Sequence, residues 1–121
     1  MIVYLLVVDM QKQKLILPSL REKKRYIVYE VLSEGKISFN PVKESLKENF
    51  ERFFGLVNLA GAGIVIFDDW KKQKGVIKVN NHYADFAKAT FTRINKIGNE
   101  DVIVRSLKTS GILNKAKGGF F

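Results

Sequence analysis

Cysteine is absent from the 121 residues, and histidine occurs once, at His82. No disulfide framework and no thiolate metal site can form from such a chain, and one imidazole does not make a zinc site, so metal ligation would fall to carboxylates. The lack of cysteine fits a reducing, cytoplasmic setting. Long apolar runs are missing too: nothing approaches the roughly 18–20 residues that span a bilayer, so no membrane partner is expected. The opening MIVYLLVVD resembles a secretory signal core only superficially. It has no basic residue ahead of it, meets Asp9 after the apolar run, and offers no small-residue cleavage site. Residues 1–9 are either a short additional strand or a segment upstream of a start at Met10. Acidic residues are also in deficit, with 12 Asp+Glu against 21 Lys+Arg and a formal charge of +9. That imbalance concerns partners and points to a polyanion. With 46% hydrophobic and 27% charged residues, the composition is that of one globular domain able to bury a core.

Catalytic signatures are missing as well. The chain has no G-x-S-x-G, no P-loop and no metal-binding histidine pair. Asp68-Asp69 is an adjacent carboxylate pair, but neighbouring strand residues point to opposite faces, which argues against a shared Mg²⁺. His82 stands at a predicted helix start, where capping or exposure is the ordinary role. No catalytic residue and no metal site is expected in the isolated chain.

What is present is a regular alternation of elements. Tyr26–Leu32 is a strand rich in β-branched and aromatic residues, with Ile27, Tyr29 and Val31 on one face and Tyr26, Val28, Glu30 and Leu32 on the other. Asn40-Pro41 opens a helix by N-cap and first-turn proline. Val42, Leu46, Phe50, Phe53 and Phe54 give that helix an apolar stripe, and Gly55 ends it. Ala60–Gly63 reads as a flexible link, Ile64–Phe67 as a second strand and Gly75–Asn80 as a third, with DDWKKQK as a long hairpin loop. Trp70 in that loop is an interface anchor or a cap on the core edge. Asn80 or Asn81 caps a second helix lined by Tyr83, Phe86, Ala87, Thr90, Ile94 and Ile97 and stopped by Gly98. Asp101–Leu107 is a fourth strand, ILNKAK begins a short terminal helix, and GGFF should fray. The order predicts an α+β, ferredoxin-like (RRM-like) βαββαβ sandwich: a four-stranded antiparallel sheet with helices on one face. A basic N-terminal extension (1–25), an α/β core (26–107) and a basic tail (108–121) make up its single domain.

The first helix carries balanced charge, so the excess lies elsewhere. Arg21, Lys23, Lys24 and Arg25 crowd into five positions immediately before the first strand, with Lys12 and Lys14 further upstream. Lys71, Lys72, Lys74 and Lys78 accompany the hairpin and third strand, and Arg105, Lys108, Lys115 and Lys117 the end of the chain. One lysine run is ordinarily a solvated face; three basic segments with few interspersed acids favour nucleic acid, contacted at its backbone. If four to six phosphates are neutralised on single-stranded RNA, affinity falls with a log–log salt slope of about −3 to −4. RRM-type base stacking is not expected, because the third strand, KGVIKV, has no aromatic residue.

Three segments carry a family resemblance. LPSLREKKRYI (17–27) resembles the N-terminal signature of archaeal ribonuclease P protein component 2. GVIKV (75–79), followed by Phe86-Ala87-Lys88-Ala89, is similar to that family's third strand and following helix. VRSLKTSG (104–111), followed by Lys115-Ala116-Lys117, is similar to its C-terminal signature. The chain departs from the pattern at Ile112-Leu113-Asn114, where the family often has Thr and two basic residues, at Asn81, and in a tail ending Gly118-Gly119-Phe120-Phe121. The resemblance implies an RRM-like protein subunit of a ribonucleoprotein that removes the 5′ leader from precursor tRNA, with the chemistry carried by the RNA and its Mg²⁺. It implies pairing with component 3 in a two-plus-two assembly, and RNA contacts at Arg21, Lys23, Lys24, Arg25, Arg105, Lys108, Lys115 and Lys117. A stand-alone ferredoxin-like ligand-binding or regulatory module without RNA would account for the fold but not for the basic segments.

Overall fold

The computed structural model describes residues 23–118, so Arg21, the MIVYLLVVD run and the terminal GFF lie outside the described residues. Strand β1 (Lys24–Ser33) runs through the centre of an antiparallel sheet of five strands in the order β2-β3-β1-β5-β4. Its neighbours are β3 (Lys74–Asn80) and β5 (Glu100–Ser110); β2 (Val65–Lys71) lies outside β3, and the two-residue β4 (Lys96–Ile97) lies outside β5. Helix α1 (Phe39–Ala62) follows β1, α2 (Ala84–Arg93) follows β3 through a 3₁₀ turn at Asn81–Tyr83, and α3 (Leu113–Lys117) ends the described chain.

The alternation predicted for β1 is present. Ile27, Tyr29 and Val31 are buried with Ile77 and Val79 of β3 and Val102 and Val104 of β5, and α1 and α2 close over them with Val42, Leu46, Phe50, Phe54, Ala87 and Phe91. Aromatic rings fill the middle of this layer: Phe91 lies 5.4 Å from Tyr29 and 6.1 Å from Phe50, centroid to centroid. Tyr29 fits only because its cross-strand partner is Gly75. A Cβ at Gly75 would run into the Tyr29 ring. Trp70 packs on Tyr29 and on Phe39, so it caps the core edge.

Several boundaries differ from the sequence reading. Among the described residues the sheet has five strands rather than four, because Lys96-Ile97 leaves α2 and forms a hairpin with Glu100-Asp101. Gly98, with φ of 62°, turns that hairpin instead of stopping a helix. Ser38 rather than Asn40 precedes the first helical residue of α1. Gly55 does interrupt α1 (φ 76°, ψ 168°), but the helix resumes through the Ala60–Ala62 segment expected to be a link, and Gly63 ends it in a left-handed conformation. Beyond the kink, Leu56 and Val57 are 80% and 64% exposed.

The predicted long loop between β2 and β3 is a two-residue turn. Lys71 pairs with Lys74, leaving Lys72 and Gln73 at the tip with φ of 52° and 58°. Two positive φ values suit the twist of a tight hairpin but normally call for Asn-Gly or Asp-Gly; for other residues the conformation costs about 1–2 kcal/mol each.

Helices are not confined to one face. Val28 and Val76 are fully buried on the side away from α1 and α2, and Ala116 of α3 covers them, with Tyr26, Phe67, Leu107 and Leu113 packed around. Tyr26 and Phe67 stack across β3, 6.1 Å between centroids.

Candidate nucleic-acid interface

Directly paired residues of a sheet share a face, so the register locates the cations. Across the face that carries α3, Tyr26 is paired with Lys78 and Ser110, and Val28 with Val76 and Lys108. The next row is Lys71–Lys74–Glu30–Arg105, spanning all four long strands. Beyond it lies the exposed pair Leu32–Ile103. Lys71, Lys74 and Lys78, drawn from the hairpin, and Arg105 and Lys108, drawn from β5, therefore meet on one surface. Lys115 and Lys117 join them from α3, and Lys72 is exposed at the hairpin tip. Residues far apart in sequence converge there because β1, the shared central strand, has β3 on one side and β5 on the other.

Lys108 reaches this face by an irregularity. Val102 and Val104 point under the helices, and strict alternation would carry Lys108 with them. Between β1 and β5, however, the register shifts: Tyr29 faces Ser106 and Val28 faces Lys108, so Leu107 is an extra residue and the alternation reverses beyond it. Lys108 and Ser110 then share the face of Val28 and Tyr26.

Acidic residues organise the cations rather than cancel them. Glu30, its side chain only 16% exposed, accepts from Arg105 Nε at 3.0 Å and Nη2 at 2.9 Å, which fixes the guanidinium across the strands. Asp69 accepts from Lys117 and ties α3 to β2. Asp68 faces the other way and meets Lys43 of α1 at 3.4 Å. The two neighbouring carboxylates thus point to opposite sides of β2, as strand geometry predicts. Among the described residues no cluster of three or more His, Asp or Glu is placed to hold a metal ion, and no helix is long and apolar enough to cross a membrane.

The N-terminal basic group is anchored at its described end. The Lys23 carbonyl accepts from the Asn81 N–H at 2.7 Å. The Lys24 ammonium donates to Asn80 Oδ1, and the same amide donates to the Gly61 carbonyl at 2.5 Å, joining β1, β3 and the end of α1. Arg25 lies against Gly111, where a Cβ would come within 3.1 Å of its Nη1. Lys24 is therefore engaged in structure as well as carrying charge. His82 is exposed in the 3₁₀ turn.

Sequence reasoning did not find Glu30 as the group that orients Arg105, nor Gln73, which anchors the hairpin tip. Gln73 Nε2 donates to the Val31 carbonyl at 2.7 Å and to Ser33 Oγ at 3.2 Å, while Oε1 accepts from the Ile37 N–H at 2.8 Å. Neither polar residue has a sequence signal, since each partner comes from a distant strand or loop.

The model of the Rpp14/Pop5 family matches residues 25–120. The chain belongs to the Rpp14/Pop5 family. Similar family members include ribonuclease P protein component 2 of Pyrococcus horikoshii, 26% identical over 92% of this chain and 93% of that protein. The protein of the same name from Thermococcus kodakarensis is 29% identical over 91% and 92%, and that from Archaeoglobus fulgidus is 29% identical over 83% and 90%. A chain in the cryo-EM structure of yeast ribonuclease MRP shares the fold with a TM-score of 0.58 at 15% identity, covering 74% of this chain and 75% of its own length.

Proposed function

We infer that the chain is a protein subunit of ribonuclease P, the ribonucleoprotein that removes the 5′ leader from precursor tRNA, and that it binds and supports the catalytic RNA. The observation that carries the reading is the convergence of Lys71, Lys74, Lys78, Arg105 and Lys108 on one sheet face in a member of this family. Phosphate contacts from such a face position a folded RNA without reading its bases. The centre of the face is covered by α3, and Tyr26 and Phe67 stack on each other, so cations rather than aromatic rings meet the RNA.

The RNA-binding set comprises Arg21, Lys23, Lys24, Arg25, Lys71, Lys72, Lys74, Lys78, Arg105, Lys108, Lys115 and Lys117. Lys24 and Arg25, the first residues of β1, are held by that strand and lose less entropy on binding than the same charges on a loose tail. The chemistry resides in the RNA with its Mg²⁺, and the chain supplies no catalytic group. Within the split βαβ plan, the order β2-β3-β1-β5 is that of a ferredoxin-like sheet, with β4 an addition at one edge. Component 3 is the protein partner, in a two-plus-two assembly acting in the cytoplasm. The exposed Leu56-Val57 pair beyond the α1 kink is apolar surface of the kind a partner covers.

Reconstitution tests this reading. Added with its component 3 protein to the organism's ribonuclease P RNA, the chain should raise precursor-tRNA cleavage over RNA alone, and changing Arg21, Lys23 and Lys24 together to Ala should remove most of the gain. No gain from a folded protein pair would overturn it.

A further inference from the structure

The β2–β3 tip combines a conformational cost with a compensating anchor. Lys72 and Gln73 both hold positive φ without being Gly or Asn. Gln73 is fastened on every side: its amide makes the three hydrogen bonds to Val31, Ser33 and Ile37, and its own carbonyl accepts from the Val31 N–H at 2.9 Å. Those partners belong to the end of β1 and the loop before α1, so the tip is bolted to the central strand rather than left as an overhang. Lys72 takes its left-handed conformation from the two-residue turn itself, which needs positive φ at both central residues. It is exposed, it leaves the left-handed backbone unrelieved, and its neighbours Lys71 and Lys74 pair directly on the basic face. Backbone held in a costly region by surrounding hydrogen bonds is a common mark of a functional position.

We propose that the hairpin tip is a prebuilt phosphate-binding prong, in which Lys72 contacts an RNA phosphate and Gln73 is the positioning residue that holds it in register with Lys71 and Lys74. The proposal rests on the RNA-binding reading above and adds to it a fixed point of contact. A rigid lysine loses less freedom on meeting a phosphate than one on a mobile loop, so the prong contributes affinity through pre-organisation.

The test uses the full-length chain paired with its component 3 protein and in vitro transcribed ribonuclease P RNA, with affinity measured across a salt series and thermal unfolding of the chain measured beside it. Lys72→Asn places a residue that accepts positive φ at the tip. It should raise the unfolding midpoint while weakening RNA binding roughly three- to tenfold and flattening the log–log salt slope by about 0.7–0.9, the signature of one lost phosphate contact. Gln73→Gly keeps the backbone conformation and removes only the clamp. It should weaken binding in the same direction, and combining it with Lys72→Asn should cost little more than Lys72→Asn alone. If Lys72→Asn leaves affinity unchanged while Lys78→Ala and Lys108→Ala weaken it, the prong is wrong and the subunit reading stands. If Lys72→Asn weakens binding but Gln73→Gly does not, Gln73 does not position it. If the unmodified chain with its component 3 protein does not bind the RNA, the subunit reading falls and takes the prong with it.

Discussion

The two faces of one sheet differ in almost every respect. Under α1 and α2, large side chains of β1, β3 and β5 meet Phe50, Phe54 and Phe91 in a continuous apolar layer. On the opposite face the buried apolar cluster contracts to Val28, Val76 and Ala116, beneath a five-residue helix, and is ringed by lysines and an arginine. The contrast separates tasks. Burial on the first face holds the fold, and the second is free to spend its area on charge, because little of the stability depends on it.

Substitutions can break that contrast, in descending order of effect. Phe91→Ala opens a cavity among Tyr29, Phe50 and α1, and should cost about 3–5 kcal/mol, a large share of a small domain's stability, read by chemical denaturation. Lys78→Ala with Lys108→Ala should leave stability within roughly 0.5 kcal/mol while lowering RNA affinity at least about tenfold and flattening the salt slope by about 1.4–1.8. A fall in the unfolding midpoint as large as that of Phe91→Ala would mean that the basic face is structural after all. Ala116→Glu places a charge against Val28 and Val76. It should release α3, costing about 1 kcal/mol, or roughly 4–8 °C, with amide-exchange protection lost at residues 113–117 and kept in β1. The smallest effect belongs inside the large core. The Tyr29 hydroxyl is buried with no hydrogen-bond partner among the described residues, so Tyr29→Phe should be neutral or slightly stabilising, by less than about 1 kcal/mol. Burial pushes the ionisation of Tyr29 above its ordinary range. The unfolded chain then releases that proton first, so the native protein loses stability as pH rises past about 10, and Tyr29→Phe should lose less there.

The sequence disclosed these two faces unevenly. Alternation along Tyr26–Leu32 assigned both sides of β1 correctly, and the basic segments were visible as runs, because period and composition are local signals. The hairpin was misjudged because Lys72-Gln73 lacks the glycine or asparagine that announces a tight turn, and its stabilising bonds come from Val31, Ser33 and Ile37. The extent of α1 was misjudged because Gly55 breaks the backbone without ending the helix. β4 is two residues long and exists only through its pairing with Glu100-Asp101. Arg105 was legible as a cation, but its orientation by Glu30 depends on two strands separated by most of the chain.

The extra residue at Leu107 has a consequence for how this protein tolerates change. Everything C-terminal to it is assigned a side by counting, not by chemistry. Deleting Leu107 would close the bulge and leave Lys108 and Ser110 on the face of Val28 and Tyr26, at the cost of one leucine packed around that cluster. A single-codon deletion there would therefore spare the basic face, whereas drawing Leu107 into a regular ladder would turn Lys108 and Ser110 inward beneath the helices and bring Thr109 out.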